Sequence, residues 1–172
     1  MSRRWQSSGV AAEMGRDCLA VRVRLLNRAV TRVYDSALRP HGVTVAQLNV
    51  LSSIANLQPV SAGTVAELLS MEISTLSRNA RLMQQAGWIE VVRAVRGNGR
   101  VLSLTPAGER KLSGLRPAWR RAQTEAAELM GPETTRAIKR LVDGHLVAQL
   151  ARINPDDHAT ATPPQAHHTT GA

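Results

Sequence analysis

Hydroxyl and guanidinium groups are concentrated in one short segment in the middle of the chain. They belong to Ser74, Thr75, Ser77, Arg78 and Arg81. Such groups donate hydrogen bonds to phosphate oxygens and to the edges of nucleic-acid bases. Arg78 is the best candidate for a guanine contact, because a guanidinium can donate two hydrogen bonds to guanine at once. The chemistry that this segment suits is therefore the binding of nucleic acid.

The apolar residues of the same segment predict the helix that positions these side chains. They recur every three or four positions, at Ile73, Leu76, Ala80 and Met83. This period predicts a helix over about 73–86, with the apolar residues facing inward and Gly87 following its end. A shorter helix, capped by Ser61 and running to about Leu69, precedes it. Two short helices joined by a brief connection predict a helix-turn-helix, whose second helix enters the major groove.

A β-hairpin is predicted directly after this helix. Segments 88–92 and 101–104 have the composition of strands, and the Asn-Gly pair between them is a strong turn signal. Arg93, Arg96 and Arg100 flank the predicted tip, and Asn98 lies on it. Arginines at the tip of a hairpin can enter a neighbouring minor groove, where negative potential is concentrated. We therefore add these four residues to the predicted nucleic-acid interface.

The charge of the whole chain agrees with a polyanionic partner. The 172 residues carry a net charge of +9, and only Lys111 and Lys139 of the 22 basic residues are lysine. A surplus of this size favours nucleic acid over a membrane surface. No apolar run approaches the length of a membrane span, and the N-terminus has no signal-peptide pattern. We expect a cytoplasmic protein with no membrane partner.

Other chemistry finds little support in the sequence. A single cysteine, Cys18, allows neither an intramolecular disulfide nor a cysteine-based zinc site, and the histidines lack metal-binding spacing. The sequence has no nucleophile-elbow motif, no phosphate-binding glycine loop and no paired inward carboxylates. We therefore expect neither an enzyme nor a cofactor.

Longer helices are predicted on both sides of the helix-turn-helix. They cover about 16–38, 45–56, 106–129 and 133–152, with Thr44 and Thr105 as N-caps. The order predicts a mainly α fold with a small β-hairpin wing, a winged helix-turn-helix flanked by N- and C-terminal dimerisation helices. The apolar stripes of the last two helices, 106–129 and 133–152, exceed what one thin winged domain can cover, which predicts a two-fold homodimer.

The same pattern divides the chain into five parts. They are a flexible N-terminal tail (1–15), an N-terminal dimerisation helix (16–42), a winged helix-turn-helix DNA-binding domain (43–105), C-terminal dimerisation helices (106–153) and a disordered tail (154–172). The last part lacks Leu, Ile, Val and aromatic residues. It therefore cannot bury enough apolar surface to offset its chain entropy.

Residues 65–112 resemble the DNA-binding core of the MarR family of regulators. The matching motifs are STLSR (74–78), the glycine-aromatic step after the reading helix, and LTPAG (104–108) at the junction of strand and helix. LTPAG is fairly specific, whereas STLSR alone is weak. The resemblance extends over about 16–150. It implies a homodimer formed by the terminal helices, a palindromic operator in double-stranded DNA, and usually a repressor released by a small ligand or by oxidation. The family's Asp-x-Arg at the wing is replaced here, with Arg96 and Asn98 at those places.

The resemblance also directs attention to residues that could sense a signal. Cys18 falls in the region where peroxide-sensing relatives hold a reactive cysteine, but it also lies on an apolar stripe, where an inert core cysteine is favoured. Arg24 and Arg28 could pair with the carboxylate of a small aromatic or phenolic effector, although solvated surface charge explains them more simply. The ligand alternative is modestly ahead of the redox one.

A second class of function stays open at this point. A winged helix can also serve as a protein–protein interaction module without specific DNA binding. Acidic or apolar residues on the reading face would favour that alternative, but the face consists of hydroxyl and Arg side chains. A steep dependence of binding on salt would distinguish the two, because phosphate contacts release counterions.

Overall fold

The computed structural model describes residues 9, 14–15, 17–93 and 99–142. Met14, Gly15 and Asp17 are helical, and the first long helix is α1 (Leu19–Leu38). It is followed by a 3-10 turn at Arg39–His41 and a left-handed Gly42 at φ 66°. The next helix, α2 (Val45–Leu57), begins in a capping box. The Thr44 hydroxyl accepts from the Gln47 amide at 3.3 Å, and the Gln47 side chain accepts from the Thr44 amide at 3.0 Å.

The central part of the chain forms a winged helix-turn-helix. It contains β1 (Val60–Ser61), α3 (Ala62–Leu68), α4 (Ile73–Gln85), β2 (Ile89–Arg93) and β3 (Arg100–Leu104). The strands form one antiparallel sheet in the order β1-β3-β2, with Val60 opposite Leu102 and Arg93 opposite Arg100. The fold is thus mainly helical with a small antiparallel sheet, as the sequence predicts.

The apolar core of the winged unit joins all of its elements. Its buried side chains come from α2, α3, α4 and the three strands: Val50, Leu51, Ile54, Val60, Val65, Ala66, Leu76, Ala80, Met83, Ile89 and Leu102. A second cluster joins the end of α1, α2 and a later helix: Leu38, Val43, Leu48, Leu115 and Ala118. Trp88 and Leu112 pack against both clusters, so they connect the winged unit to the long helices.

Two more helices complete the described residues. They are α5 (Pro106–Met130) and α6 (Pro132–Leu141). The chain divides into two compact units, Met1–Leu129 and Met130–Ala172, and α6 lies in the second. None of the helices in the described part of the chain combines the length and the apolar character that crossing a membrane requires.

The structure corrects several boundaries and side-chain positions. Helix α1 starts at Leu19, and Cys18 is its N-cap rather than a residue of its first turns. Strand β1 was not predicted, because two residues held only by pairing with β3 give no periodic signal. Ile73 was expected to face inward with the other apolar residues of its helix, but it is 52% exposed. Ile73 lies at the first position of its helix, where no core element covers it.

Candidate nucleic-acid interface

Helix α4 is fixed in the winged unit by its inner face. Leu76, Ala80 and Met83 are all buried there. The helix ends at Gly87, whose φ of 73° allows the amide of Trp88 to donate to the Met83 carbonyl at 2.9 Å. This tight ending turns the chain directly into β2. The same residues that end the helix therefore set its position relative to the sheet.

Helix α3 braces α4 through a short turn. The Ser61 hydroxyl caps α3 by accepting from the Thr64 amide at 3.0 Å. After α3, Ser70 adopts a left-handed conformation at φ 47°, and the Met71 amide donates to the Ala66 carbonyl at 2.8 Å. This is the helix-turn-helix arrangement that the sequence predicts, with α4 in the position of the reading helix.

The outer face of α4 carries the polar side chains that the sequence singled out. Ser74, Thr75, Ser77, Arg78 and Arg81 are all exposed. Within the described residues, no side chain caps the N-terminus of α4. The amides of Thr75 and Leu76 both donate to the Glu72 carbonyl. The first amides of α4 therefore face solvent at the positive end of the helix dipole, where anions are stabilised.

A groove runs from this face to the sheet and gathers basic side chains. Its volume is about 620 Å³, and its polar walls include Ser77, Arg78, Arg81, Gln84 and Arg100. The floor is apolar and is formed by Ala62, Leu76, Ala80, Val91 and Leu102. A neighbouring depression of about 530 Å³ includes Arg93 together with Gln84 and Arg100. Arginines from the helix and from the strands thus lie along one surface.

Gln84 is also part of this groove, although it is not among the residues predicted from the sequence. It follows Ser77 by seven residues and Arg81 by three, which places it on the same side of the helix at 3.6 residues per turn. The helical spacing could therefore have identified it. Arg93 and Arg100 face each other across β2 and β3. The other two predicted wing residues, Arg96 and Asn98, lie outside the described residues.

The LTPAG motif has a physical explanation at the junction of wing and helix. The Thr105 hydroxyl caps α5 by accepting from the Gly108 amide at 3.0 Å, and it donates to the Gly87 carbonyl at 2.6 Å. The Thr105 amide donates to the Trp88 carbonyl at 3.0 Å. A Cβ at Gly108 would lie 1.9 Å from that same carbonyl oxygen, so only glycine allows this close approach.

Lys111 adds a further link between the wing and the long helices. Its ammonium donates to the His41 carbonyl at 2.6 Å and lies 4.7 Å from the centre of the Trp88 ring. The second contact is a cation–π interaction. The start of α5 is therefore tied both to the turn after α1 and to the base of the wing.

The candidate sensing residues lie on or next to α1, away from the groove residues in the chain. Cys18 is half-buried, whereas Arg24 and Arg28 are exposed. Arg22 donates to the Cys18 carbonyl at 3.4 Å and lies 3.8 Å from the Asp17 carboxylate. Further along α1, the Tyr34 hydroxyl donates to the Gln123 side chain of α5, and burial raises the pKa of the Tyr34 phenol.

A winged helix-turn-helix with a basic groove beside its reading helix defines the class of this protein. Residues 41–100 match the sequence model of the MarR family. The MosR transcriptional regulator of M. tuberculosis, solved in complex with DNA, is 28% identical, with 79% of this chain and 99% of that chain covered and a TM-score of 0.64. No curated protein sequence matches the chain.

Two more distant structures share the fold. Apo MarR of E. coli is 20% identical over 74% of this chain and 96% of its own, with a TM-score of 0.62. The transcriptional repressor CouR, solved on a 23-mer DNA duplex, is 18% identical over 85% and 99%, with a TM-score of 0.65. The match over residues 41–100 and these structures make the chain similar to the MarR family of winged helix-turn-helix transcriptional regulators.

Proposed function

We propose that this protein is a homodimeric repressor that binds a palindromic operator in double-stranded DNA. The observation that carries the proposal is the groove of about 620 Å³ in which Arg78 and Arg81 of α4 meet Arg100 of β3. The similar MosR and CouR structures contain DNA, which supports the same partner for this chain. As a regulator of transcription, it would act in the cytoplasm.

The reading helix would enter the major groove by its N-terminal half. Ser74, Thr75 and Ser77 are short enough to approach phosphates and base edges closely, and the open N-terminus of α4 favours a phosphate nearby. Arg78 would donate two hydrogen bonds to a guanine, a contact worth about 1–3 kcal/mol of discrimination. Arg81 lies one turn further along, where it can neutralise a backbone phosphate.

The wing would contact the neighbouring minor groove. Arg93 and Arg100 extend the basic surface from α4 onto the hairpin. We propose that Arg96 and Asn98, which follow between them in the sequence, reach the DNA at the tip. The hairpin then adds contacts outside the major groove and fixes the orientation of the reading helix.

Dimerisation would be carried by the apolar surface of the long helices. Leu19, Val23 and Leu25 of α1 are 72%, 56% and 60% exposed, and Leu129 near the end of α5 is 58% exposed. A second copy related by a two-fold axis would bury such surface. The same axis would place two reading helices about 34 Å apart, as a palindrome with half-sites one turn apart requires.

Release from DNA would follow a signal that reaches the long helices. We propose a small aromatic or phenolic effector whose carboxylate or phenolate pairs with Arg24 or Arg28, with oxidation of Cys18 as the competing route. Both positions lie at α1, next to the apolar surface assigned to the dimer. A change there would alter the spacing of the two reading helices rather than their chemistry.

Binding to DNA at several salt concentrations tests the function. Duplexes selected from a random library would be titrated with three proteins: wild type, Arg78→Ala and a control variant, Arg120→Ala. Arg120 is an exposed arginine of α5. We expect wild type and Arg120→Ala to bind tightly with a steep salt dependence. Arg78→Ala should lose about 1–3 kcal/mol and its preference at one guanine. Failure of the wild type to select any sequence would favour the protein-interaction alternative.

A further inference from the structure

Ile73 is an apolar side chain in a polar setting. It is the first residue of α4 and is 52% exposed, although the other apolar residues of its helical pattern, Leu76, Ala80 and Met83, are buried. Single exposed apolar residues are common on protein surfaces and need no explanation by themselves. Ile73 is of interest because it lies on the same helix as the residues that are proposed to face DNA.

Ile73 begins a row of side chains along α4. Ser77 and Arg81 follow it at intervals of four residues, so that the three lie on the same side of the helix. Both Ser77 and Arg81 line the basic groove. Reading helices contact base edges with their N-terminal residues, and Ile73 occupies the N-terminal end of this row. In a complex where α4 enters the major groove as proposed, Ile73 would therefore lie closer to the bases than the residues at the far end of this row.

We propose that Ile73 reads the C5-methyl group of a thymine in the major groove and thereby selects a T·A pair at one position of each half-site. This inference rests on the proposed function. Thymine is the only standard base that presents a methyl group in the major groove, and apolar side chains recognise it by contact. Removing one methyl from such a contact should weaken binding about fourfold in each half-site.

Replacing thymine by deoxyuridine tests the contact directly, because it removes only that methyl group. The thymines of a duplex selected by the wild-type protein would be replaced one position at a time, and affinity would be measured for wild type and Ile73→Ala. We expect one position in each half-site where deoxyuridine weakens wild type about fourfold. Ile73→Ala loses the contact in both half-sites of the dimer, so it should bind the thymine duplex about 16-fold more weakly. It should be indifferent to deoxyuridine at that position.

Leu82 provides a matched control on the same helix. It is 50% exposed, close to the value for Ile73, but nine residues further on, which is about 180° around the helix axis at 3.6 residues per turn. Leu82→Ala should keep the full response of the wild type to deoxyuridine. Ile73→Val, which retains a branched apolar side chain, should keep the thymine preference.

The outcomes separate this inference from the function on which it rests. If wild type binds its selected duplex but Ile73→Ala responds to deoxyuridine at every position as wild type does, the thymine contact is wrong and DNA binding stands. If wild type selects no duplex, both are wrong. Unfolding of Ile73→Ala in denaturant should match that of the wild type, since the side chain is not part of the core.

Discussion

Helices α4 and α1 use their apolar residues in opposite ways. The 13 residues of α4 bury three side chains against the same chain, and their outer face is mostly polar, with Ile73 and Leu82 half-exposed. The 20 residues of α1 bury only Leu38, and Leu19, Val23 and Leu25 are exposed. Helix α4 therefore packs within its own chain, whereas the apolar surface of α1 is left exposed and is available to the second copy proposed above.

The contact between the start of α5 and Trp88, which connects the winged unit to the long helices, should be the most sensitive point. A Cβ at Gly108 would collide with the Trp88 backbone at 1.9 Å, whereas a Cβ at Gly114 on the same helix would meet nothing within 4 Å. We expect Gly108→Ala to lose at least about 3 kcal/mol of unfolding free energy or to fail to fold. Gly114→Ala should gain up to about 1 kcal/mol from helix propensity.

Denaturant unfolding of both variants measures this difference. Equal stabilities for the two alanine variants would show that α5 does not approach Trp88 as closely as described. The result would then remove the structural explanation of the LTPAG motif.

A pair of leucine substitutions compares the two helices themselves. Leu76 of α4 is fully buried, and Leu25 of α1 is 60% exposed. Leu76→Ala should lose about 2–5 kcal/mol of unfolding free energy at every protein concentration, because it leaves a cavity in the winged core. In dilute protein, Leu25→Ala should change stability by less than about 0.5 kcal/mol. Its effect should be weaker self-association, detectable by sedimentation.

If Leu76→Ala and Leu25→Ala lose similar unfolding free energy in dilute protein, the difference between α4 and α1 described above is wrong. That result would mean that α1 is packed within its own chain as closely as α4. The dimerisation role assigned to α1 would then lose its basis.

Local signals explain why the winged unit could be predicted so fully from the sequence. Thr44, Ser61 and Thr105 each cap a helix where they were placed, and Gly87 ends α4 with a positive φ. Each of these signals acts within a few residues of its own position. Helix boundaries follow from such short-range chemistry.

The features that were missed depend on distant parts of the chain. Strand β1 exists because Val60 pairs with Leu102, and Ile73 is exposed because no element covers the first position of its helix. The apolar period of α1 likewise identified a stripe but could not tell whether this chain or a second copy covers it. Apolar periodicity identifies which face of a helix is apolar, but it does not show which surface packs against that face.

The smallest predicted effect concerns the contact between α1 and α5. Burial raises the pKa of Tyr34, so the folded state favours the neutral phenol that donates to Gln123. The stability contributed by this group is complete below the unfolded pKa of about 10 and is lost as the pH rises toward the higher folded value. Wild type should therefore lose stability relative to Tyr34→Phe between about pH 9 and about pH 11.

Chemical denaturation of the two proteins across this range would show the trend. Parallel stability curves for wild type and Tyr34→Phe would mean that the phenol is solvated equally in the folded and unfolded states. The hydrogen bond between α1 and α5 would then carry no measurable energy.

The mass of the complex with DNA shows whether α1 and α4 act together, since the proposed function needs a dimer formed through α1 to place two copies of α4 on one duplex. Sedimentation of the wild-type protein on a selected palindromic duplex should show two chains per duplex and a dimer without DNA. Val23→Glu, which adds a charge to the exposed face of α1, should sediment as a folded monomer that binds the duplex weakly. A wild-type monomer that binds one chain per duplex with full affinity would contradict the account.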